Sequence, residues 1–274
     1  MDALSRLDLV FCVDITASMT PFIDAARAQM LRILDELRSS IGEGLRVAVV
    51  AYRDHGAPQL LETAKFSTSG KDTEAFLKGL VVASGPYNTD SAEAVFSGLA
   101  ACVELPWRDG AYRTLVLVGD APPHTCGANS PPFPDRFPDE DPSGFSLDGM
   151  ANKLEEDGIF VHALAMMPSF NRHHDEFLAR SFERLAVSTG GTYQQARTAE
   201  AAMAIVETVS KRFLRELAFD RKLYAALGGG EKGGPKSSAS PDGTVVASLA
   251  KELLATESDV NGGLMRLRQR KLLR

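Results

Sequence analysis

Four short runs of the chain are apolar almost without interruption: LVFCV (9–13), LRVAVVAY (45–52), TLVLV (114–118) and IFVHALA (159–165). Most do not alternate apolar with polar positions, the pattern of strands buried on both faces of a parallel sheet. Between them the period changes. Phe22, Ala26, Met30, Ile33 and Leu37 recur at steps of three and four, which predicts a helix with Thr20 as its N-cap and Pro21 at the first helical position. Further helices are expected near 71–80, 90–103, 147–157, 174–188 and 199–218, the last with Ala202, Val206, Val209, Phe213 and Leu217 on one face. Residues 60–66 (LLETAKF) follow a turn at 54–58 and predict a short antiparallel edge strand. Strands alternating with helices define an α/β class: a doubly wound, mostly parallel central sheet flanked by helices.

Two segments break this rhythm. Residues 121–145 hold seven prolines and no period, too long for an ordinary connection and therefore either a functional or a mobile loop. Residues 228–243 (GGGEKGGPKSSASPDG) have the composition of a flexible linker. The expected organisation is a main domain over 1–220, a linker over 221–244, and a short helix with a basic tail over 245–274. The net charge of −6 is unevenly spread, because Arg266, Arg268, Arg270, Lys271 and Arg274 crowd the last fifteen residues without an acid. An acidic body disfavours general nucleic-acid binding. No apolar run is long enough to span a membrane, and the first residues lack the basic region and cleavage site of a signal peptide. Of the three cysteines, Cys12 and Cys102 lie in apolar stretches, so a reducing, cytoplasmic setting is expected rather than a disulfide framework.

The candidate chemistry lies where the first strand ends. In VFCVDITASM an apolar strand runs into Asp14, and hydroxyls follow at every second residue, Thr16 and Ser18. Loops at the carboxyl ends of the strands form the ligand crevice of a doubly wound sheet. A hard divalent cation wants about six oxygens and keeps some of its waters, which carboxylates and hydroxyls in this pattern satisfy in part. Other strand ends offer more oxygen: Asp120 follows the strand at 114–118, and Thr89 and Asp90 stand side by side in YNTDSAE.

DITAS, Thr89 and the Asp120 of GDAPPH together resemble the von Willebrand factor type A family, whose metal-ion-dependent adhesion site uses D-x-S-x-S with a distant Thr and a distant Asp. The likeness covers roughly residues 6–218, and AYRDHG (51–56) and GDAPPH (119–124) are similar to intracellular and bacterial members, including some found beside atypical kinases. The resemblance implies Mg2+, with Mn2+ or Ca2+ as alternatives. It implies that Thr16 and Ser18 bind the metal directly, that Thr89 joins when a ligand engages, and that Asp14 and Asp120 act mainly through waters or as acceptors. The open coordination position would take an Asp or Glu of a partner protein. Position 16 is Thr where Ser is commoner, which keeps the hydroxyl. Asp90, beside Thr89, is a possible accessory carboxylate. Asp54, next to Arg53 and His55, is either a contribution to the partner surface, an orienting contact to the metal loop, or part of a structural turn with an ion pair. His124 is either an accessory residue or a solvated loop histidine, and His162 is expected to be a satisfied core histidine.

The expected function is a non-enzymatic, metal-dependent interaction module. Position 16 is Thr where a haloacid-dehalogenase-type phosphatase has its second Asp. No P-loop, G-x-S-x-G elbow or G-x-G-x-x-G follows a strand. The family resemblance implies an adaptor working with an AAA+ ATPase, a kinase or phosphatase, or a stress-linked complex. The alternatives are a Mg2+-assisted phosphoryl transferase or hydrolase using Asp14 or Asp120, and a nucleic-acid adaptor acting through the tail.

Overall fold

A computed structural model describes residues 3–83, 85, 89–127, 129, 131, 133–169, 171–229 and 243–273, with the backbone alone at 29, 199, 200 and 202–210. Six strands form one sheet: β1 (Leu7–Asp14), β2 (Leu45–Tyr52), β3 (Leu61–Ser67), β4 (Tyr112–Gly119), β5 (Ile159–Met166) and β6 (Thr192–Ala196), in the order β3-β2-β1-β4-β5-β6. Every pairing is parallel except β2 with β3. The apolar runs are thus the interior strands, and LLETAKF is the antiparallel edge. The opposite edge, β6, was not expected. Its sequence TYQQA is polar and only its last residue is buried, so it carries neither the continuous apolar run of a central strand nor a clear alternation.

Helices α1 (Ile23–Ile41), α2 (Gly70–Gly79), α3 (Val95–Val103), α4 (Leu147–Glu156), α5 (Asp175–Ser188) and α6 (Ala199–Ala226) cover the two faces. Alternate residues of β1 feed separate cores. Leu7, Leu9, Phe11 and Val13 pack in one cluster with Ile33 and Leu37 of α1 and Phe213 and Leu217 of α6. Val10 and Cys12 pack in the other with residues of α3, α4 and α5.

Several boundaries differ from expectation. Thr20 is not the N-cap of α1, because a 3-10 turn at Ala17–Met19 intervenes and the Thr20 hydroxyl bonds back to the Ala17 carbonyl at 2.6 Å. The helix foreseen at 90–103 begins only at Val95, since Glu93 N–H is held by the Pro122 carbonyl at 3.0 Å. α6 runs to Ala226, beyond the expected end of the main domain; the side chains of Ala202, Val206 and Val209 are outside the described ones, while Phe213 and Leu217 are buried as the period predicted. Most of the expected linker, 230–242, also lies outside the described residues.

The basic tail is a correction. Beyond α7 (Gly243–Glu252), residues 257–269 form a second helix, α8 (Glu257–Gln269), started by a capping box of Thr256 and Asp259. Val260, Leu264 and Leu267 join Leu223 of α6 and Leu4 in a third apolar cluster. Arg266 donates to Asp220 at 2.7 and 3.0 Å, and Arg270 reaches the Ala3 and Gly110 carbonyls at 2.9 and 3.1 Å. Of the tail cations, Arg266 and Arg270 are therefore buried against the domain.

Candidate metal centre

Both ends of β1 carry a fully buried aspartate, and the two are treated differently. Asp8, at the start, is paired with Arg46 and Arg108, each at 2.7 Å. Asp14, at the end, has no salt-bridge partner among the described residues. Its Oδ1 accepts from the backbone N–H and the hydroxyl of Thr16 at 2.8 and 2.6 Å. Thr16 Oγ1 lies 3.2 Å from Ser18 Oγ, and that hydroxyl donates to Asp120 Oδ1 at 2.9 Å. One continuous chain of oxygens thus joins the ends of β1 and β4. The extended backbone of Thr16 and the 3-10 turn behind it turn these hydroxyls towards the two carboxylates.

Charge at this cluster is uncompensated. Burial pushes the Asp14 carboxyl up to about 6. It pushes Asp120 up to about 8, with the Asp14 charge adding to the effect. Asp14 Oδ2 is buried without a hydrogen-bond partner. Leaving such a group unsatisfied costs about 1–3 kcal/mol, more when it is charged. Two buried acids, two hydroxyls and an unbonded carboxylate oxygen match the donor set of a hard divalent cation. A polar cluster that only capped a turn would need no second carboxylate. The sequence-identified residues therefore fit the metal they imply.

Thr89 is exposed on the loop before α3 and takes no part in the hydrogen bonds that link the other four. Its neighbour Asp90 is turned inward to a separate cluster. Asp54, Asp90 and His124 bring ligand-type atoms within 4.8 Å of one another. Asp54 and His124 are already bonded within the protein, and Asp90 Oδ1 faces Arg136 Nε at 3.5 Å without a hydrogen bond. His124 lies 2.9 Å from Asp54 through Nε2 and 2.6 Å from Asp135 through Nδ1. Arg136 donates to Asp54, takes Asp90 Oδ2 through its backbone N–H at 2.7 Å, and bonds the His55 carbonyl at 2.9 Å. We assign this cluster as an ion-pair strap. Arg53 belongs to an adjacent turn, bonded to Glu62 at 2.6 Å.

His124 is therefore not a solvated loop residue; it is buried, and the strap it anchors gives much of the 121–145 loop a fixed course. Burial disfavours the imidazolium, but hydrogen bonds to Asp135 and Asp54 outweigh it and raise the His124 pKa to about 9. A folded pKa above the unfolded value of 6.5 stabilises fully below pH 6.5 and is lost as pH rises through about 9. Asp135 has a lowered pKa, so its contribution needs a pH above its unfolded 3.8. Hydrogen exchange across 133–145 is accordingly expected to be slowest near pH 5–6.5 on the intrinsic-rate-corrected scale. It should lose protection on the order of 3 kcal/mol towards pH 10. Equal protection at both ends of that range would mean the imidazolium does not hold the loop.

Sequence reasoning missed Tyr52, Glu93, Asp135 and Arg136. Burial holds the Glu93 carboxyl well above its usual range, with the charges of Asp14, Asp54 and Asp120 acting in the same direction. Asp135 and Arg136 sit in an aperiodic proline-rich stretch that offers no pattern to read. His162 is a core histidine, as expected, but satisfied only in part: burial lowers it to about 3, Nδ1 lies 2.8 Å from Thr192 Oγ1, and Nε2 is buried without a hydrogen bond.

No known sequence-family profile matches the chain. By structure, the pilus adhesin SpaC of Lactobacillus rhamnosus GG superposes with a TM-score of 0.59 at 18% identity, covering 77% of this chain and 30% of that one. Proximal thread matrix protein 1 of the mussel byssus, in a form with a zinc-occupied MIDAS motif, gives 0.55 at 16% identity, covering 78% and 47%. The chain has the von Willebrand factor type A fold. In sequence, 150 residues of this type A fold, 54% of the chain, are 27% identical to the alpha-protein kinase vwkA of Dictyostelium discoideum. The match spans 23% of that curated relative's length. Among the described residues, no helix of the domain is long and apolar enough to cross a membrane.

Proposed function

We propose that this type A domain is a divalent-cation-dependent protein-interaction module. The observation that carries the reading is the contrast along β1: Asp8 is neutralised by two arginines, whereas Asp14 and Asp120 face each other through two hydroxyls with no salt-bridge partner among the described residues. Asp14, Thr16, Ser18 and Asp120 hold the ion, with Mg2+ the natural occupant of an all-oxygen set and Mn2+ or Ca2+ the alternatives. Bound there, the ion supplies the positive charge these carboxylates lack and a coordination position for an external carboxylate. Thr16 and Ser18 present their hydroxyl oxygens to it, and Asp14 and Asp120 orient those hydroxyls. Thr89, exposed on the loop before α3, joins when a partner's Asp or Glu engages.

The zinc-bearing neighbour supports a metal in this fold position, and the kinase relative supports an adaptor that works beside a kinase. The domain is not itself an enzyme in this reading, because Thr16 stands where a phosphatase of this fold class would need a second carboxylate. Free Cys12 and Cys102, both buried, suit a reducing, cytoplasmic setting.

The test is a pull-down from native lysate with wild type and Asp14→Asn, each with Mg2+ or with excess EDTA. A protein retained only by wild type in Mg2+ is expected. Identical retention in all four lanes would sink the reading.

A further inference from the structure

Tyr52 ends β2 directly opposite Asp14, its register partner on β1. Continuing the register of β1 with β4 brings Gly119 to the other side of Asp14, so the three residues form one row across three strands. Neighbouring positions in a parallel sheet point to the same face. Two glycines make room for the tyrosine. A Cβ at Gly98 of α3 would lie 2.8 Å from the ring of Tyr52, and one at Gly119 would lie 2.7 Å from its hydroxyl oxygen. The same point above Gly119 is 3.4 Å from the Cβ of Asp14. The phenol is thus slotted between α3 and β4 with its oxygen beside the Asp14 side chain.

That oxygen is fully buried and has no hydrogen-bond partner, and neither has Asp14 Oδ2. Both are sealed polar atoms at the same end of the row, one a donor and the other an acceptor, and leaving the two unbonded is costly if they serve nothing. A phenylalanine would fill the slot equally well for packing alone.

We infer that Tyr52 is a positioning residue of the metal centre. Its hydroxyl, unbonded in this structure, is a donor beside the Asp14 side chain, of which Thr16 holds only Oδ1; with a cation bound it would steady the free edge of the carboxylate. Outer-shell partners of this kind fix ligand orientation and tune cation affinity. The inference rests on the metal reading above, and its test separates the two.

Mg2+ alone is titrated calorimetrically into wild type and Tyr52→Phe, and the melting of each metal-free protein is recorded. Wild type is expected to bind saturably and Tyr52→Phe about tenfold more weakly. The metal-free melting temperature of the variant should be equal or higher, since an unpartnered buried hydroxyl is gone. If wild type binds and the variant binds equally well, the positioning role is overturned while the metal site stands. A variant that loses melting temperature and affinity together would assign Tyr52 to packing and also overturn the inference. No saturable binding by wild type would remove the metal reading itself.

Discussion

Replacing Asp220 by alanine is expected to lower the unfolding free energy by roughly 3–5 kcal/mol, the cost of leaving buried charge unpaired. Asp220 is fully buried on α6, where it accepts from Arg266 at 2.7 Å and faces Arg270 at 3.5 Å. Both arginines come from the α8 segment and are themselves nearly buried. Without the carboxylate, two guanidinium groups lose their main counter-charge inside a cluster otherwise built from Leu223, Val260, Leu264 and Leu267. The largest rise in hydrogen exchange should therefore fall on α7 and α8, with the sheet affected less. Denaturant melts and exchange mass spectrometry check both statements. Asp220→Leu combined with Arg266→Met should recover much of the loss, because a well-packed apolar replacement of a buried pair is often neutral. Failure of both the loss and its recovery would mean that α8 is held by its apolar contacts alone.

The second large effect concerns the cation. Asp14→Asn keeps an acceptor for the Thr16 N–H and hydroxyl, which lie 2.8 and 2.6 Å from Oδ1, yet it removes the charge. Its affinity for Mg2+ should fall by about 100-fold, the upper end for a charged group that orients the ligating hydroxyls. A ligand at one hundred times its Kd raises native stability by about 2.7 kcal/mol, so wild type should melt later in Mg2+ and the variant should not. In the metal-free state the variant should melt at the same temperature or higher, because one of two buried acids that repel each other has become neutral. A variant that unfolds without metal would make Asp14 a structural cap of the turn at Thr16 instead of a ligand.

How far the chain could be read before its structure depended on burial. The interior strands are apolar on both faces and announce themselves. β6 shows little of this, since an edge strand with half-buried Thr192, Tyr193 and Gln194 resembles a loop in composition. α8 was masked for a different reason. Its sequence carries Gly262 and Gly263, each unfavourable in a helix by about 1 kcal/mol. Gly263 is needed there: a Cβ would meet Leu223 at 2.6 Å and Phe219 at 3.1 Å, so the helix can approach α6 only without one. Tertiary contact overrode local propensity.

At the site, Asp14, Thr16, Ser18 and Asp120 were legible because strand ends are predictable places for polar atoms. Tyr52 was not, since a tyrosine ending an apolar run reads as core. Asp54, Asp90 and His124 are close in space, yet only Arg136 and Asp135, from an aperiodic loop, reveal that they form a strap.

The link from Ser18 to Asp120 bridges 102 positions of chain. Such a contact closes only after β1 and β4 have paired, so the four oxygens come together only in the assembled sheet. An ion that recognises the finished arrangement has little to hold in the transition state. Its effect belongs on the unfolding limb, where stabilisation absent from the transition state appears as a slower unfolding rate. Mg2+ would thus lengthen the lifetime of the native domain without hastening its formation, a latch on the completed sheet.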